Sequence, residues 1–191
     1  MKTPAFALAL AAILFAFAPP LFAIETPLAI DKSRSHIEAM VTSTMDNFTA
    51  QLTAYDAIVS VDLSEKRIGN AQLKFRFADI KTSDEKRDAE IYAWQQIDQF
   101  PDCIYILDAL QPAIGGTFKA RGRFILHGIR KEITIPVTIG FSSAGTCMID
   151  GDLTLDTTDF GLSPVHKYVI FKVSPTFQVK FHLEGRASSE R

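Results

Sequence analysis

Strict alternation of apolar and polar residues runs through much of this 191-residue chain and constrains its fold more than any other feature. The alternation is clearest at residues 72–77, 118–126, 132–141 and 177–184. A period of two places successive side chains on opposite faces, so each segment predicts a β-strand with one covered and one solvated face. Weaker strand patterns occur at residues 35–41, 48–52, 57–62, 103–110, 148–155 and 167–173.

The connections between these predicted strands are short and rich in turn residues. They include residues 111–116, 127–130 and 142–146, each of which contains glycine. Glycine supplies the positive φ angle that tight hairpins need, and strands joined in this way run antiparallel. Pro136 falls in the middle of a predicted strand, and its missing N–H predicts a sheet edge or a bulge there.

One segment has helical rather than strand character. Thr82 and Glu85 have the spacing of a capping box, in which each side chain satisfies the other's free backbone N–H. Ile91, Trp94 and Ile97 then recur at three-residue spacing, which places them on one face of a helix. The segment therefore predicts one α-helix at about residues 83–97.

Antiparallel strands with a single helix cannot hide an apolar face under a second layer of helices. The chain is therefore expected to be all-β, either a closed barrel or a two-sheet sandwich. The sequence contains no repeat or flexible linker that would divide it, which indicates one domain. The net charge of −2 and the absence of a Lys/Arg cluster argue against nucleic acid as a partner.

The first residues are typical of a secretory signal peptide. Lys2 gives a basic start, residues 5–18 form an apolar run, and Ala23 supplies the small residue at an expected cleavage site. An uncleaved anchor is the alternative, but the apolar run is shorter than the roughly 20 residues of a membrane span. We therefore expect residues 1–23 to be removed and residues 24–191 to form an exported domain without stable membrane insertion.

No motif in the sequence indicates catalysis or a metal site. Cys103 and Cys147 are far apart, and none of the four histidines lies near another histidine or a cysteine. Nucleophile elbows and phosphate-binding glycine loops are absent from the sequence. Export would permit a disulfide between the two cysteines, but two free thiols fit the sequence equally well. The sequence thus predicts neither an enzyme nor a resident cofactor.

Bulky apolar side chains, phenylalanine above all, fall on the covered faces of the predicted strands. A barrel of about eight strands either fills its interior with such side chains or holds one ligand. The helix residues of the set could close one end of the barrel or pack outside it. The candidate cavity-lining residues are Phe75, Phe77, Ile91, Trp94, Ile104, Ile106, Phe118, Phe124, Ile133, Ile135, Val137, Ile139, Phe177 and Phe181.

Four stretches of the chain resemble the YceI family, whose members are exported lipocalin-like β-barrels that hold long isoprenoid or other lipid chains. The stretches are IDKSRSHI at residues 30–37, the segment from Lys86 through Trp94 to Ile104, GRFILHGIRKEI at residues 122–133, and DFGL at residues 159–162. The resemblance implies a single antiparallel barrel of about eight strands with one inserted helix. It also favours a cavity over a dry core.

From this resemblance we expect a periplasmic protein that binds a long-chain isoprenoid, a quinone or a fatty-acid-type lipid, with a role in transport, storage or stress protection. Residues near the helix, Arg87 and Tyr92, are candidates for head-group selection. One rival is an enzyme that acts on a lipid or quinone in the same cavity, for which His36 is the candidate inward-facing group. Another is an interaction protein with a filled barrel. The sequence leaves the oligomeric state open, a homodimer included.

Overall fold

A computed structural model describes residues 25–44, 46–143, 145–164, 166–167 and 171–187. The predicted signal peptide lies outside these residues. The strands are β1 Thr26–Ile30, β2 His36–Ser43, β3 Phe48–Leu52, β4 Asp56–Asp62, β5 Arg67–Arg76, β6 Ile80–Lys81, β7 Asp102–Pro112, β8 Thr117–Leu126, β9 Ile129–Phe141, β10 Thr146–Asp156, β11 His166–Lys167 and β12 Phe171–Ala187. The α-helix α1 spans Glu85–Gln95, and 3₁₀ turns cover Phe77–Asp79, Ile114–Gly116 and Thr157–Phe160.

Eight strands close into a ring. The order is β1-β4-β5-β7-β8-β9-β10-β12, and β1 pairs with β12 to complete the circuit. Strands β2, β3 and β6 prolong the wall, because β2 pairs with β12 next to β1, β3 pairs with β2, and β6 pairs with β3. All of these pairings are antiparallel. The predicted single closed barrel of eight strands is confirmed, and the sandwich alternative is excluded.

The first three strands of the wall are each made of two consecutive pieces, namely β1 with β2, β3 with β4, and β5 with β6. A short irregular joint separates the two pieces of each wall strand. One joint is residues 31–35, between β1 and β2. There the Asp31 carboxylate accepts hydrogen bonds from the Ser33 hydroxyl at 2.6 Å and the Ser33 backbone N–H at 3.0 Å. These two bonds close the turn, and they lower the pKa of Asp31. The breaks let each long strand bend around the barrel.

Helix α1 begins later than the capping box predicted. Asp84 is its N-cap, and the Asp84 carboxylate accepts the backbone N–H groups of Lys86 and Arg87 at 3.0 and 3.1 Å. The Thr82 hydroxyl instead donates to the Asp88 carboxylate at 2.7 Å, so the predicted Thr82–Glu85 exchange is wrong. A left-handed residue, Gln96 at φ 57°, ends the helix.

The buried apolar side chains form two clusters. The first, at the helix end of the barrel, contains Phe77, Cys103, Phe124, Leu126, Leu155, Phe160 and Leu162. The second contains Leu28, Val59, Val61, Ile68, Ala120, Ile135, Val137, Cys147 and Ile149. Cys103 and Cys147 therefore lie in different clusters, and both are free thiols rather than a disulfide. Burial raises the pKa of Cys103 to about 12 and that of Cys147 to about 11.

Pro136 lies where β9 has a strand neighbour on one side only, which is locally the sheet edge that its missing N–H predicted. It lies inside β9 opposite Lys119 of β8. Pairing between β9 and β10 ends at Val137, so Pro136 is the first residue beyond that ladder. A residue without an N–H is tolerated where pairing with one neighbour stops.

Candidate functional site

A cavity of about 200 Å³ lies inside the barrel. It is formed by the side chains that the period-two alternation turns inward from every strand of the ring except β1. Its walls are Ile37, Glu38, Ala39, Ala50, Leu52, Ala57, Val59, Ile68, Ala71, Gln72, Leu73, Phe75, Phe77, Ile80, Tyr105, Leu107, Leu110, Ala120, Phe124, Leu126, Ile133, Ile135, Val137, Ile139, Ile149, Leu153, Leu155, Phe177, Val179, Phe181 and Leu183.

The lining is almost entirely aliphatic and aromatic. Glu38 and Gln72 are its only residues with a carboxylate or an amide, and no lysine, arginine or histidine belongs to it. The Tyr105 hydroxyl donates to the backbone oxygen of Ala120 at 3.3 Å, and burial raises the pKa of Tyr105 to about 12. The Tyr105 ring occupies the space over Gly122, where any Cβ atom would overlap it. Such a lining suits a hydrocarbon and offers little to a charged molecule.

Nine of the fourteen candidate lining residues lie in the cavity wall. They are Phe75, Phe77, Phe124, Ile133, Ile135, Val137, Ile139, Phe177 and Phe181. That they contact a ligand stays a prediction. Their placement follows from the alternation in β5, β8, β9 and β12, where the covered face was readable from the sequence.

The other five candidates lie outside the lining. Ile104 and Ile106 are on the opposite face of β7, because Tyr105 and Leu107 are the residues that face the cavity. Phe118, near the start of β8, packs against the second cluster without lining the cavity. Ile91 and Trp94 pack from the helix against the first cluster. These two helix residues therefore cover one end of the barrel rather than line its cavity.

The residues proposed for head-group selection are already engaged with the protein. The Tyr92 hydroxyl is bonded to the backbone oxygens of Ala78 and Ile80 at 2.9 and 2.7 Å. The guanidinium carbon of Arg87 lies 4.4 Å from the centre of the Phe48 ring. Both side chains therefore fix the helix to the strands near it, and neither belongs to the cavity lining.

His36, the candidate inward-facing group of an enzyme, points outward. Its side chain is exposed, and its ring stacks on that of His182 with 5.6 Å between the centres. His182 Nδ1 lies 2.7 Å from a carboxylate oxygen of Asp150 on the outer face of the barrel. The assignment of His36 to the interior is wrong because β2 turns Ile37 and Ala39 inward instead. Within the described ranges, no three His, Cys, Asp or Glu side chains are grouped to hold a metal ion.

Several cavity residues were missed at the level of sequence. Ile68 and Ala71 on β5, and Leu107 and Leu110 on β7, line the cavity although neither pair fits an unbroken alternation. Irregular pairing explains this, because the register shifts between β4 and β5 and again between β7 and β8. The extra residue of a bulge reverses the face of everything beyond it.

A closed up-and-down β-barrel with an apolar interior and one helix across its end is thus the class of protein that the fold and cavity define. The family model described as YceI-like domain matches residues 28–185. The chain belongs to this family, and the resemblance seen in the sequence is confirmed.

Solved structures with the same fold come from several bacteria. BcnA from Burkholderia cenocepacia is similar with a TM-score of 0.70 and 23% identity, over 81% of this chain and 98% of that chain. A polyisoprenoid binding domain from Saccharophagus degradans has a TM-score of 0.65 and 15% identity, over 85% and 99%. A YCEI protein from Campylobacter jejuni has a TM-score of 0.63 and 14% identity, over 76% and 88%.

No protein of curated function matches the sequence. Among the residues that the structure describes, no helix has the length and apolar character of a membrane span.

Proposed function

We propose that this protein binds the hydrocarbon chain of a long isoprenoid or similar lipid inside the barrel. The observation that carries this proposal is the apolar cavity of about 200 Å³, lined from all sides by aliphatic and aromatic side chains. A barrel of this size holds one small ligand when its interior is not filled. A solved relative with the same fold is described as a polyisoprenoid binding domain, which supports the same class of ligand.

Burial of apolar surface would provide the affinity. Each Å² of chain removed from water contributes about 25 cal/mol, which is about 0.8 kcal/mol per methylene. Because this term is not directional, the site should tolerate differences in chain structure, and quinones or fatty-acid-type lipids are expected to compete with isoprenoids. Glu38 and Gln72 pair with the outward-facing Lys180 and Ile58 and share the outer face with them, so they offer no polar group to a head group inside the barrel.

We further propose that the domain acts after export to the periplasm, as a lipid carrier, store or protectant rather than as an enzyme. The support is the basic-then-apolar N-terminus of the sequence, which is typical of a cleaved signal peptide. The outward position of His36 removes the one ionisable group on which the enzyme alternative was based. The open cavity disfavours the alternative of a filled barrel that acts only through its outer surface.

The test is native mass spectrometry of the full chain expressed in a Gram-negative host and isolated from its periplasm. We expect a mass that begins at Ile24 and a stoichiometric additional mass that organic solvent extracts as a long-chain lipid. A chain that retains residues 1–23 would contradict export with cleavage. Bare protein that takes up neither farnesol nor a fatty acid would contradict lipid binding, whatever its location.

A further inference from the structure

Three interruptions of the backbone ladder leave long stretches of neighbouring wall strands unpaired within the described residues. Shorter breaks at residues 31–35 and 53–55 are bridged by backbone bonds, from the Asp31 N–H to the oxygen of Glu184 and from the Thr53 N–H to the oxygen of Asp79.

The first interruption lies between the wall strand formed by β1 and β2 and the wall strand formed by β3 and β4. There the ladder stops at the Pro27–Ser60 pair and resumes at the Glu38–Gln51 pair. Between β9 and β10 it stops at Val137–Gly151, towards the helix end. Between β5 and β7 it covers only residues 72–76 and 102–106, so residues 67–71 and 107–111 are unpaired with each other.

Side chains close the first of these interruptions. Lys32, from the joint between β1 and β2, donates from Nζ to the backbone oxygen of Tyr55 at 2.6 Å. The same ammonium group lies 5.3 Å from the centre of the Tyr55 ring. Tyr55 itself is buried, with 7% of its surface exposed. This side chain pair therefore ties the two edges together.

The second interruption is also closed, by the segment that follows β10. Phe160 and Leu162 are 1% and 4% exposed and belong to the cluster at the helix end. His127, in the turn between β8 and β9, contacts the backbone oxygen of Phe160 through Nδ1 at 3.1 Å. Lys131 of β9 forms a 3.9 Å ion pair with Asp159. Packing and polar contacts thus seal this side of the wall.

The third interruption, between β5 and β7, is closed by apolar packing alone, because Ile68 of one edge and Leu107 and Leu110 of the other belong to or pack against the second cluster. None of the described hydrogen bonds or ion pairs joins residues 67–71 to residues 107–111. Each edge instead forms an ion pair with its other neighbouring strand, the one away from the interruption. Arg67 pairs with Asp62 of β4 at 3.5 Å, and Asp108 pairs with Arg123 of β8 at 2.8 Å.

Both strands are also irregular at the point where they part. The register shifts between β4 and β5 next to Ser60, and between β7 and β8 between Leu107 and Ala109. Bulges bend a strand away from its neighbour and are common at the rims of barrels. Ile68 and Ala71 on one edge, and Leu107 and Leu110 on the other, line the cavity. The cavity therefore extends to this interruption.

The hairpin turns at the two edges expose apolar side chains to solvent. Leu63, in the turn before β5, is 41% exposed, and Ile114, in the turn after β7, is 98% exposed. The charged residues of the two edges are paired with neighbouring strands, and the carboxylate of Glu25, which lies over Gly69, accepts a hydrogen bond from the Ser60 hydroxyl at 2.6 Å. The side chains that line the interruption towards the cavity are apolar. An uncharged hydrocarbon chain is the molecule that such an opening suits.

We propose that residues 67–71 and 107–111 form the portal through which the hydrocarbon chain of the ligand enters and leaves the barrel. This inference rests on the proposed lipid binding and adds the route. The portal admits an uncharged chain because both edges offer apolar side chains, and it can widen because no described bond joins them. The other two interruptions stay closed.

The experiment attaches one bulky label either at the proposed portal or at the first interruption, and compares both with a control position. Asn70→Cys places the label on the portal edge, Ser33→Cys places it at the opening held by Lys32, and Thr138→Cys, which is paired with a neighbouring strand on both sides, is the control; all three side chains are exposed. Each variant is reacted with pyrene maleimide. The native thiols, with pKa values raised by burial to about 12 for Cys103 and about 11 for Cys147, stay unmodified. Uptake of a dansyl-labelled fatty acid is then followed by stopped flow.

We expect the label at residue 70 to slow uptake at least tenfold with little change in the equilibrium Kd, and the other labels to have no effect. Unchanged uptake with the label at residue 70, or slowing by the label at residue 33, would overturn the portal. Failure of every protein, including the unlabelled chain, to bind the probe would overturn the proposed function as well.

A second variant, Asn70→Cys/Asp108→Cys, tests the same inference through a reversible disulfide. Oxidation should slow uptake, and a reductant should restore it, whereas Arg121→Cys/Thr134→Cys across the intact β8–β9 pair should have no effect in either state. Equal uptake rates of the oxidised and reduced portal variant would contradict the proposal.

Discussion

Filling the cavity from within should weaken lipid binding by an amount that follows from its size. Ala71 lines the cavity from β5, and its small side chain leaves room for an added ring. At about 30 Å³ for each water-sized group, a cavity of about 200 Å³ accepts about seven such groups. At about 0.8 kcal/mol for each methylene, a chain of that length gains about 6 kcal/mol from burial.

The phenyl ring of Ala71→Phe takes the space of about three of these groups. The loss is then about 2.4 kcal/mol, which corresponds to about a 50-fold increase in Kd. Displacement of a dansyl-labelled fatty acid by farnesol measures this change. Thr138→Phe, which adds the same ring at an exposed position of β9, is the matched control and should bind like the unmodified protein.

The folded state of the Ala71→Phe variant should be as stable as the unmodified protein, because the ring enters space that already exists. Its thermal midpoint is therefore measured first. A stable, folded Ala71→Phe protein with the Kd of the control would refute the reasoning, since the chain would then bind somewhere other than the cavity.

Three further predictions concern the scaffold. Phe160→Ala should lower the free energy of unfolding in urea by about 3–5 kcal/mol, because Phe160 is 1% exposed, whereas Ile114→Ala at 98% exposure should leave it unchanged; equal effects would contradict the packing. Cys103, whose pKa burial raises to about 12, should resist iodoacetamide at pH 8 until guanidinium unfolds the protein, and rapid alkylation of the native state would be inconsistent with its burial. The backbone N–H of Arg87 holds the pKa of Asp84 below its usual value, so the stability from this carboxylate is present above about pH 4 and is lost as the pH falls further. Asp84→Asn should therefore show a smaller drop of thermal midpoint on acidification, and an unaltered drop would argue against this role of Asp84.

Much of the barrel was predictable because its wall strands have one covered face and one solvated face. In β8 and β9 the alternation continues for nearly the whole strand, and the structure turns Phe124, Ile135 and Val137 inward as the pattern predicts. Alternation alone does not distinguish a closed barrel from a two-sheet sandwich. Closure depends on the pairing of β1 with β12, and the sequence of β1 does not mark its solvated face because Pro27 and Ala29, which lie there, are not polar.

The cavity was harder to predict than the fold. In β7 apolar residues occupy both faces, so the sequence does not reveal that Tyr105 faces inward while Ile104 and Ile106 face away. Bulges beside Gly69 and Asp108 then change the phase in the segments where the two strands part. Such bulges depend on contacts between distant strands, and no local pattern marks them.

Photo-cross-linking of an isoprenoid alcohol that carries a diazirine on its chain tests the central claim most directly. After illumination, digestion and mass spectrometry should locate the adducts on inward-facing residues such as Phe77, Phe124, Ile135 and Phe181, and excess farnesol should suppress them. Adducts confined to exposed side chains such as Ile58 and Ile114, or adducts that farnesol does not reduce, would contradict binding inside the barrel.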